Sequence, residues 1–371
     1  MTKPHPNEHS VLVLQGGGAL GAYQAGAFAE LAKAGCAPEW VAGISIGAIN
    51  AAIICGNPPE ARAAKLDAFW SGITSSAALS HMFSFVPDRH MFGELASASV
   101  VAMGVPGFFK PRLPALAFMP GGLASMTSFY DTAPLADTLR EVVDFDYLNT
   151  HGPRLSVGAV HVSTGNFAYF DSATQRIGPE HIMASGALPP GFPPVEIDGH
   201  WYWDGGLVSN TPLQYIMEQA DGEPLCVFQI DLFSAHGDLP GTMAEVQQRE
   251  KDIRFSSRTR LTTDRYRQLN GLSMAAERLW AKLPKELQDD PDLAFIRAAT
   301  PDCPITLVHL IHRKEDFEGA TKDYEFSRLS MLQHWAAGEN DVKKTFSHKD
   351  WKRRTVAKTG LQIFDLTRDD A

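Results

Sequence analysis

Two short apolar segments in the first fifty residues each end at a glycine-framed turn and continue into a helical pattern. The first segment, residues 11–14, leads into four glycines: Gly16, Gly17, Gly18 and Gly21. The second, residues 40–44, leads into Ser45 and then into a run of small and apolar residues. A short, fully apolar run that stops at glycine is typical of a buried parallel strand. The repeated order of strand, turn and helix predicts an α/β fold with a mostly parallel sheet.

Ser45 is framed by Gly43 and Gly47, two residues away on either side. A sharp turn from strand to helix needs glycine at these positions, because a side chain there would collide with the turn. Such a turn exposes the serine hydroxyl as a nucleophile. A glycine run that leaves a strand exposes backbone N–H groups, which can hold negative charge. The two motifs therefore predict a nucleophile and an oxyanion hole, the two parts that acyl transfer needs.

The glycine run also matches a dinucleotide-binding fingerprint, since Gly16, Gly18 and Gly21 have the required spacing. That fingerprint expects an acidic residue at the end of the second strand, where it would bind the ribose hydroxyls. Glu39 precedes this strand and Ser45 stands at its end. The sequence therefore favours acyl transfer over dinucleotide binding.

A nucleophilic serine needs a base, and no histidine lies beside Ser45 in the sequence. Asp204 is followed by Gly205 and Gly206, which allow close backbone approach and an accessible carboxylate, although the same tripeptide also suits a simple turn. One alternative is an α/β-hydrolase triad whose base is a histidine near the late strand at residues 304–311, His309 or His312. Another is a non-catalytic lipid-binding protein.

The composition narrows the class of partner. The formal net charge of −10 argues against nucleic acid, which is usually bound by proteins with an excess of basic residues. No apolar run approaches the roughly 18 residues of a membrane-spanning helix, and the polar residues 1–10 show no signal-peptide pattern. Four cysteines lie far apart, which predicts reduced, mostly buried thiols in a cytoplasmic protein: Cys36, Cys55, Cys226 and Cys303.

The later sequence predicts a β-hairpin over residues 153–170, a buried strand at 225–232, and helices over 245–280 and 338–358. Residues 249–267 carry seven basic and three acidic side chains, which suits a solvated helical face or a site for an anionic head group. Residues 81–130 are apolar but broken by prolines and glycines. They form either an irregular segment packed on the core or a lid or wall of an apolar substrate pocket.

Taken together, three motifs resemble those of bacterial patatin-like phospholipases. The glycine turn followed by residues 22–26 resembles the oxyanion-hole motif of that family, and residues 43–51 resemble its nucleophile elbow. Residues 184–189 and 202–206 resemble its aspartate motif. The resemblance implies a three-layer α/β/α fold with a mostly parallel central sheet. It also implies a catalytic domain over residues 8–235 and a helical C-terminal extension over 236–371 that packs on the catalytic core.

The resemblance further implies a serine lipid acyl hydrolase that uses a Ser45–Asp204 dyad and requires no metal or other cofactor. Ser45 would attack the ester carbonyl, Asp204 would accept its proton, and N–H groups near Gly16, Gly17 and Gly18 would hold the oxyanion. We expect a lipid or acyl-ester substrate and peripheral contact with a membrane or lipid aggregate. Leu20 replaces the Arg or Lys that many relatives carry, which makes a neutral acyl ester more plausible than a charged phospholipid.

Overall fold

The computed structural model describes residues 7–75, 88–112, 127–257, 259–288, 290–298, 303–313 and 318–367. Within these residues the chain forms the following strands: β1 His9–Leu14, β2 Trp40–Gly43, β3 Lys110–Pro111, β4 Tyr130–Asp131, β5 Arg154–His161, β6 Phe167–Asp171, β7 Val195–Ile197, β8 His200–Asp204, β9 Leu225–Asp231, β10 Ile305–Ile311 and β11 Leu361–Phe364.

The helices of the same ranges are α1 Gly21–Lys33, α2 Ile46–Cys55, α3 Arg62–Ser75, α4 Arg89–Met103, α5 Ala133–Val142, α6 Phe145–Thr150, α7 Pro179–Ser185, α8 Leu213–Glu218, α9 Met243–Phe255, α10 Thr259–Trp280, α11 Lys285–Gln288, α12 Pro291–Ala298, α13 Arg328–Ser347 and α14 Lys349–Arg353. None of the helices described here has the length and apolar character needed to cross a bilayer.

One mostly parallel sheet forms the centre of the molecule. Its strands follow the order β11-β10-β9-β1-β2-β5-β8-β7, with β6 paired to β5 outside this path. The pairings from β11 to β5 are parallel, whereas β8 and β6 run antiparallel to β5. In such a sheet, ligands bind beyond the carboxyl ends of the central strands. The turns after β1 and β2 occupy that position.

Helices cover both faces of the sheet. Leu12 and Leu14 of β1 belong to a large apolar cluster with α1, α2, α3 and α13. Val11 and Val13 point to the other face, because successive side chains of a strand alternate, and they belong to a second cluster with α8 and α10. The predicted three-layer α/β/α fold is therefore confirmed.

The closest helix contact joins α1 to α13. A Cβ atom on Gly26 would lie under 3.0 Å from backbone atoms of Trp335, and one on Gly338 would meet the backbone of Tyr23 just as closely. Glycine at both positions lets the two helix backbones approach each other. This crossing attaches the last long helix to the first one. The C-terminal part of the chain therefore packs directly on the helix that follows the glycine turn.

Several predicted elements are confirmed. The hairpin is β5 and β6, and the two late strands are β9 and β10. The helical region predicted over residues 245–280 consists of two helices, α9 and α10, because Ser256 leaves the helical conformation at the end of α9. The C-terminal helix begins at Arg328, ten residues earlier than predicted. All four cysteines are buried, as expected.

Candidate active site

The register of β5 brings the ends of β2 and β8 together. Val157 of β5 pairs with Gly43 of β2, and Ala159 pairs with Asp204 of β8. Strand β6 pairs with the other edge of β5, so β2 and β8 lie along the same edge of β5. Their ends face Val157 and Ala159, two positions apart on β5. Ser45, which follows β2, and Asp204, which ends β8, are neighbours for this reason although 159 positions separate them.

Ser45 sits at a strained backbone turn. Its φ is 54° and its ψ is −123°, a conformation that a non-glycine residue rarely adopts. A Cβ on Gly43 would collide with the backbone of Gly47, and one on Gly47 would collide with the carbonyl of Leu14. Both framing glycines are therefore required sterically. Helix α2 begins at the next residue, so the positive end of its dipole adjoins the serine.

A buried serine supports this turn from behind. The N–H of Ser45 donates to Oγ of Ser185 at 3.1 Å, and the Ser185 hydroxyl donates to the carbonyl of Gly158 at 2.7 Å. Ser185 is fully buried. Helix α7 and strand β5 are thus joined to the Ser45 turn through one hydroxyl. Ser185 belongs to the aspartate motif that the sequence indicated, but the sequence did not indicate its hydrogen bonds to Ser45 and Gly158.

Asp204 is buried beside Ser45, with 2% of its surface exposed. Its Oδ1 accepts a hydrogen bond from the N–H of Gly206 at 2.7 Å. Burial raises the pKa of Asp204 to about 7, although the Gly206 hydrogen bond and the neighbouring Ser45 side chain act in the opposite direction. A Cβ on Gly205 would meet the carbonyl of Gly158, so this glycine allows the close approach to β5.

The three glycines predicted to hold an oxyanion differ in their backbone contacts. The N–H of Gly16 donates to the carbonyl of Asn210 at 3.1 Å. The N–H groups of Gly17 and Gly18 have no acceptor among the residues that the structure describes. Gly18 has a φ of 56°, where glycine is favoured, and a Cβ there would collide with the carbonyl of Asp323.

Buried amides that the sequence did not single out hold the glycine turn. Nδ2 of Asn210 donates to the carbonyls of Gly16 at 2.9 Å and Phe255 at 2.8 Å. Gln15 is fully buried, and its Oε1 accepts the N–H groups of Leu232 and Phe233. These contacts join the turn and the preceding Gln15 to residues at least 194 positions away. The only local sign of them is a polar side chain directly after an apolar strand.

Ser45 and Asp204 line a cavity of about 350 Å³. Most of its wall is apolar, with side chains from several separate segments: Ile46, Ile49, Val100, Val101, Phe108, Phe109, Tyr130, Leu188, Phe192, Phe233, Phe255 and Phe326. Its polar lining consists of the glycine turn together with Ser45, Asp204, Asn210, Asp323 and Tyr324. An apolar cavity with a small convergent polar group has the character of a ligand site.

Part of the apolar stretch at residues 81–130 forms this wall. Val100 and Val101 of α4, together with Phe108 and Phe109, line the cavity, whereas Val100 and the two phenylalanines also pack in the core. Val100 and the two phenylalanines therefore both pack on the core and form part of the wall of an apolar cavity. Residues 81–87 and 113–126 lie outside the described part of the chain.

The histidines of the alternative triad lie elsewhere. Neither His309 nor His312 is among the residues that line the cavity. His312 is buried, and its Nε2 lies 2.9 Å from Oε1 of Glu318. In the described part of the chain, the group that accompanies Ser45 is thus a carboxylate and not an imidazole.

Leu20 lies in the core of the molecule. Its side chain is fully buried in the large apolar cluster and does not line the cavity. The expected preference for a neutral acyl ester therefore stays a prediction. In the basic stretch, Lys251 bonds to Asp323 at 2.7 Å and Arg249 donates to the carbonyl of Ser234, so these two side chains hold neighbouring segments.

Comparison with protein-family models gives two matches. A model described as Patatin-like phospholipase matches residues 12–217, more than half of the 371 residues. A second model, described as Patatin phospholipase, matches residues 253–358. A comparison with curated proteins finds no match.

Similar solved structures come from two bacteria. VipD from Legionella pneumophila has a TM-score of 0.40 and 13% identity, with 91% of this chain and 66% of that chain covered. Full-length ExoU in complex with SpcU from Pseudomonas aeruginosa has a TM-score of 0.29 and 16% identity, with 67% and 50% covered. A second ExoU–SpcU structure from that organism has a TM-score of 0.33 and 18% identity, with 80% and 68% covered. The chain spans less than two thirds of the first two.

Proposed function

Because the chain belongs to the patatin-like phospholipase family, we propose that it is a serine lipid acyl hydrolase that cleaves carboxylic ester bonds through Ser45 and Asp204. The observation that carries this proposal is the position of Ser45 beside the buried Asp204 carboxyl, whose pKa its side chain lowers, at the wall of an apolar cavity. A carboxylate that is desolvated and bonded to a hydroxyl is suited to act as its general base.

In the first half of the reaction, Oγ of Ser45 attacks the ester carbonyl carbon while Asp204 accepts the hydroxyl proton. The carbonyl oxygen becomes an oxyanion in the tetrahedral intermediate. When the intermediate collapses, the bond to the alcohol oxygen breaks and Asp204 returns the proton to that oxygen. The alcohol leaves, and the acyl group remains on Ser45 as an ester.

In the second half, water attacks the acyl-Ser45 carbonyl and gives a proton to Asp204. The second tetrahedral intermediate releases the carboxylic acid, and Ser45 recovers its proton from Asp204. The same carboxyl therefore alternates between base and acid. Its pKa of about 7 suits this exchange, because proton transfer is most efficient when the pKa of the catalyst lies near the working pH.

The N–H groups of Gly17 and Gly18 are the donors that we assign to the oxyanion. They lie in the turn that lines the cavity beside Ser45, and the N-terminus of α2 adds a favourable potential. Removing one such donor typically raises the barrier by about 3 kcal/mol. Gly16 and Asn210 fix the shape of this turn instead of binding the substrate oxygen.

We assign the cavity to the acyl chain of a lipid, since its wall is mostly aromatic and aliphatic. Val101, which lines the cavity, is 53% exposed, and Phe129 beside the cavity residue Tyr130 is 63% exposed. Apolar side chains at the rim favour entry of substrate from a membrane or lipid aggregate.

We also propose that residues 8–235 form the catalytic domain and residues 236–371 an extension packed on it. Three contacts support the packing of the extension on the catalytic domain. Strands β10 and β11 extend the central sheet beyond β9, α13 crosses α1, and the Asp323 carbonyl lies against Gly18.

Hydrolysis of p-nitrophenyl esters of graded chain length, alongside a phospholipid panel, tests the activity. We expect Ser45→Ala to lower kcat/KM by about 10³-fold or more and Asp204→Asn by about 10²- to 10⁴-fold. Asp238→Asn at an exposed carboxylate and His309→Ala should retain full activity. An active Asp204→Asn variant with an inactive His309→Ala or His312→Ala would contradict the dyad. A folded protein with no hydrolysis of any ester would favour the lipid-binding alternative.

A further inference from the structure

Three buried side chains converge at a place separate from the cavity. His312 directly follows β10, Glu318 lies in the next described segment, and His334 lies in α13. Their exposed fractions are 2%, 5% and 2%. Nε2 of His312 lies 2.9 Å from Oε1 of Glu318, and Nε2 of His334 lies 2.8 Å from the same oxygen. Three donor atoms from three segments therefore face one another in the interior.

The donor set is that of a divalent transition metal. Two imidazole nitrogens and one glutamate oxygen are ligands that Zn²⁺ accepts, at bond lengths of about 2.0 to 2.2 Å. Tetrahedral bonds of that length place neighbouring donor atoms about 3 to 3.5 Å apart. The ligand atoms of the three residues lie within 4.8 Å of one another, so small shifts of these side chains would complete the geometry.

Two buried polar atoms of the cluster make no hydrogen bond to any residue that the structure describes. They are Oε2 of Glu318 and Nδ1 of His334. An unsatisfied buried carboxylate oxygen is costly, and a cation bound by this carboxyl would remove much of that cost.

The nearby cations already have partners of their own. Nη2 of Arg89 lies 3.9 Å from Oε2 of Glu325 and donates to Gln333 at 2.9 Å. Nζ of Lys322 lies 2.8 Å from Oδ1 of Asp252. The Glu318 carboxylate is therefore shared between two imidazoles and is not the main counter-ion of either cation.

Glu318 and His334 also line a small cavity of about 20 Å³. A cavity of this volume holds one water molecule, for which about 10 to 15 Å³ is enough. His90 and Glu94 of α4 line the same cavity and could hydrogen-bond to that water. The cluster thus has room for a fourth ligand beside its three protein donors.

We propose that His312, Glu318 and His334 bind a Zn²⁺ ion whose fourth ligand is a water molecule in the adjacent cavity. The ion would tie the end of β10 to α13 and to the segment that begins at Glu318. That segment contains Asp323 and Tyr324, which line the catalytic cavity. We assign the ion a structural role, since the Ser45 chemistry described above takes no step through a metal.

Metal titration of the full-length, chelator-treated protein tests this site. Co²⁺ is added while visible absorption is recorded, because a tetrahedral Co²⁺ site with nitrogen ligands absorbs in that region, and Zn²⁺ is then used to displace it. Glu318→Gln and His334→Gln each remove one ligand. The amide oxygen introduced by Glu318→Gln can still accept from both imidazoles, so a triad held only by hydrogen bonds should survive this change. His309→Gln, at a neighbouring part-buried histidine of β10, is the matched control.

We expect one Co²⁺ per chain, displaced by Zn²⁺, and a melting temperature that Zn²⁺ raises in the wild type and in His309→Gln. Both ligand variants should lose affinity by more than the roughly 10- to 100-fold typical of a lost outer-sphere partner. Absence of binding to the folded wild type, or equal affinity in Glu318→Gln, would overturn the proposal and leave a hydrogen-bonded triad. Circular dichroism shows whether His334→Gln folds. If it does not fold, the metal affinity of Glu318→Gln alone tests the proposal.

Discussion

At the scale of single residues, the burial of Asp204 bears on the proposed activity and on the pH dependence of stability. Its pKa rises from an ordinary 3.8 to about 7 because the buried carboxylate loses hydration. A group with a raised pKa in the folded state binds its proton more tightly when folded. Its contribution to stability is therefore complete below about pH 4 and is lost as the pH rises through 7.

Asp204→Asn is expected to stabilise the protein at alkaline pH while it removes activity. The amide can still accept from Gly206 and carries no charge to desolvate. At pH 8 the free energy of unfolding should exceed that of the wild type by on the order of 4 kcal/mol, since each pKa unit corresponds to about 1.4 kcal/mol. The excess should shrink as the pH falls and disappear below about pH 4. Melting temperatures from pH 4 to pH 9 measure this, and an excess that does not change with pH would contradict it.

Ser185→Ala tests the support of the Ser45 turn. The change leaves the N–H of Ser45 and the carbonyl of Gly158 without partners, each at a cost of about 1 to 3 kcal/mol. We expect lower stability and a lower kcat, with KM changed much less. Ser97→Ala is the control, because the buried Ser97 hydroxyl has no partner within the described residues. Equal kcat values for both variants would argue against a positioning role.

The site residues that could be predicted from the sequence are those whose residue type is required by the backbone conformation of their own turn. Gly43 is required by a collision within its own turn and Gly18 by a positive φ, so the residue type records the local geometry. Ser185 and Asn210 were not predicted as contacts because their partners are backbone atoms up to 194 positions away. Nothing in the local sequence distinguishes such a serine or asparagine from an ordinary buried polar residue.

At the scale of elements, the crossing of α1 and α13 depends on glycine. We expect Gly26→Ala to destabilise the protein by several kcal/mol, since the added methyl group would meet rigid backbone atoms of Trp335. Gly271→Ala in α10 is the control, because no heavy atom lies within 4 Å of its added Cβ. That change should be neutral or stabilise by up to about 1 kcal/mol. Urea unfolding compares them, and similar effects would contradict the packing argument.

Elements with strong periodicity were easier to predict than short ones. α2 directly follows Ser45, where the sequence predicted a helix, and β9 and β10 lie within one residue or so of the predicted bounds. β11 was not predicted because four half-buried residues carry too little pattern, and its place is fixed only by pairing with β10.

At the scale of the whole molecule, the cavity combines walls from α2, α4 and the segment before α13. Val101→Trp should shorten the preferred acyl chain, because the larger side chain fills part of the cavity from a half-exposed position. We expect kcat/KM to fall for long p-nitrophenyl esters and to change little for the acetate. An unchanged chain-length profile would place the acyl chain elsewhere.

The association of the C-terminal part with the catalytic residues was the hardest feature to predict. Residues 304–311 indicated a further strand, and the structure confirms that it joins the central sheet. No local pattern indicated that Asp323 would lie against Gly18 or that Phe326 would line the cavity. These contacts arise only after the sheet and the α1–α13 crossing have formed.

The most direct test of the dyad is the rate at which a fluorophosphonate labels Ser45 as a function of pH. In the wild type the label should appear on Ser45, with a rate that rises through a midpoint near pH 7 as Asp204 ionises. In Asp204→Asn the rate should fall by about 10²- to 10⁴-fold and lose that midpoint. Labelling of Asp204→Asn at the wild-type rate with the same midpoint, or labelling of another residue, would contradict the assignment of Ser45 and Asp204.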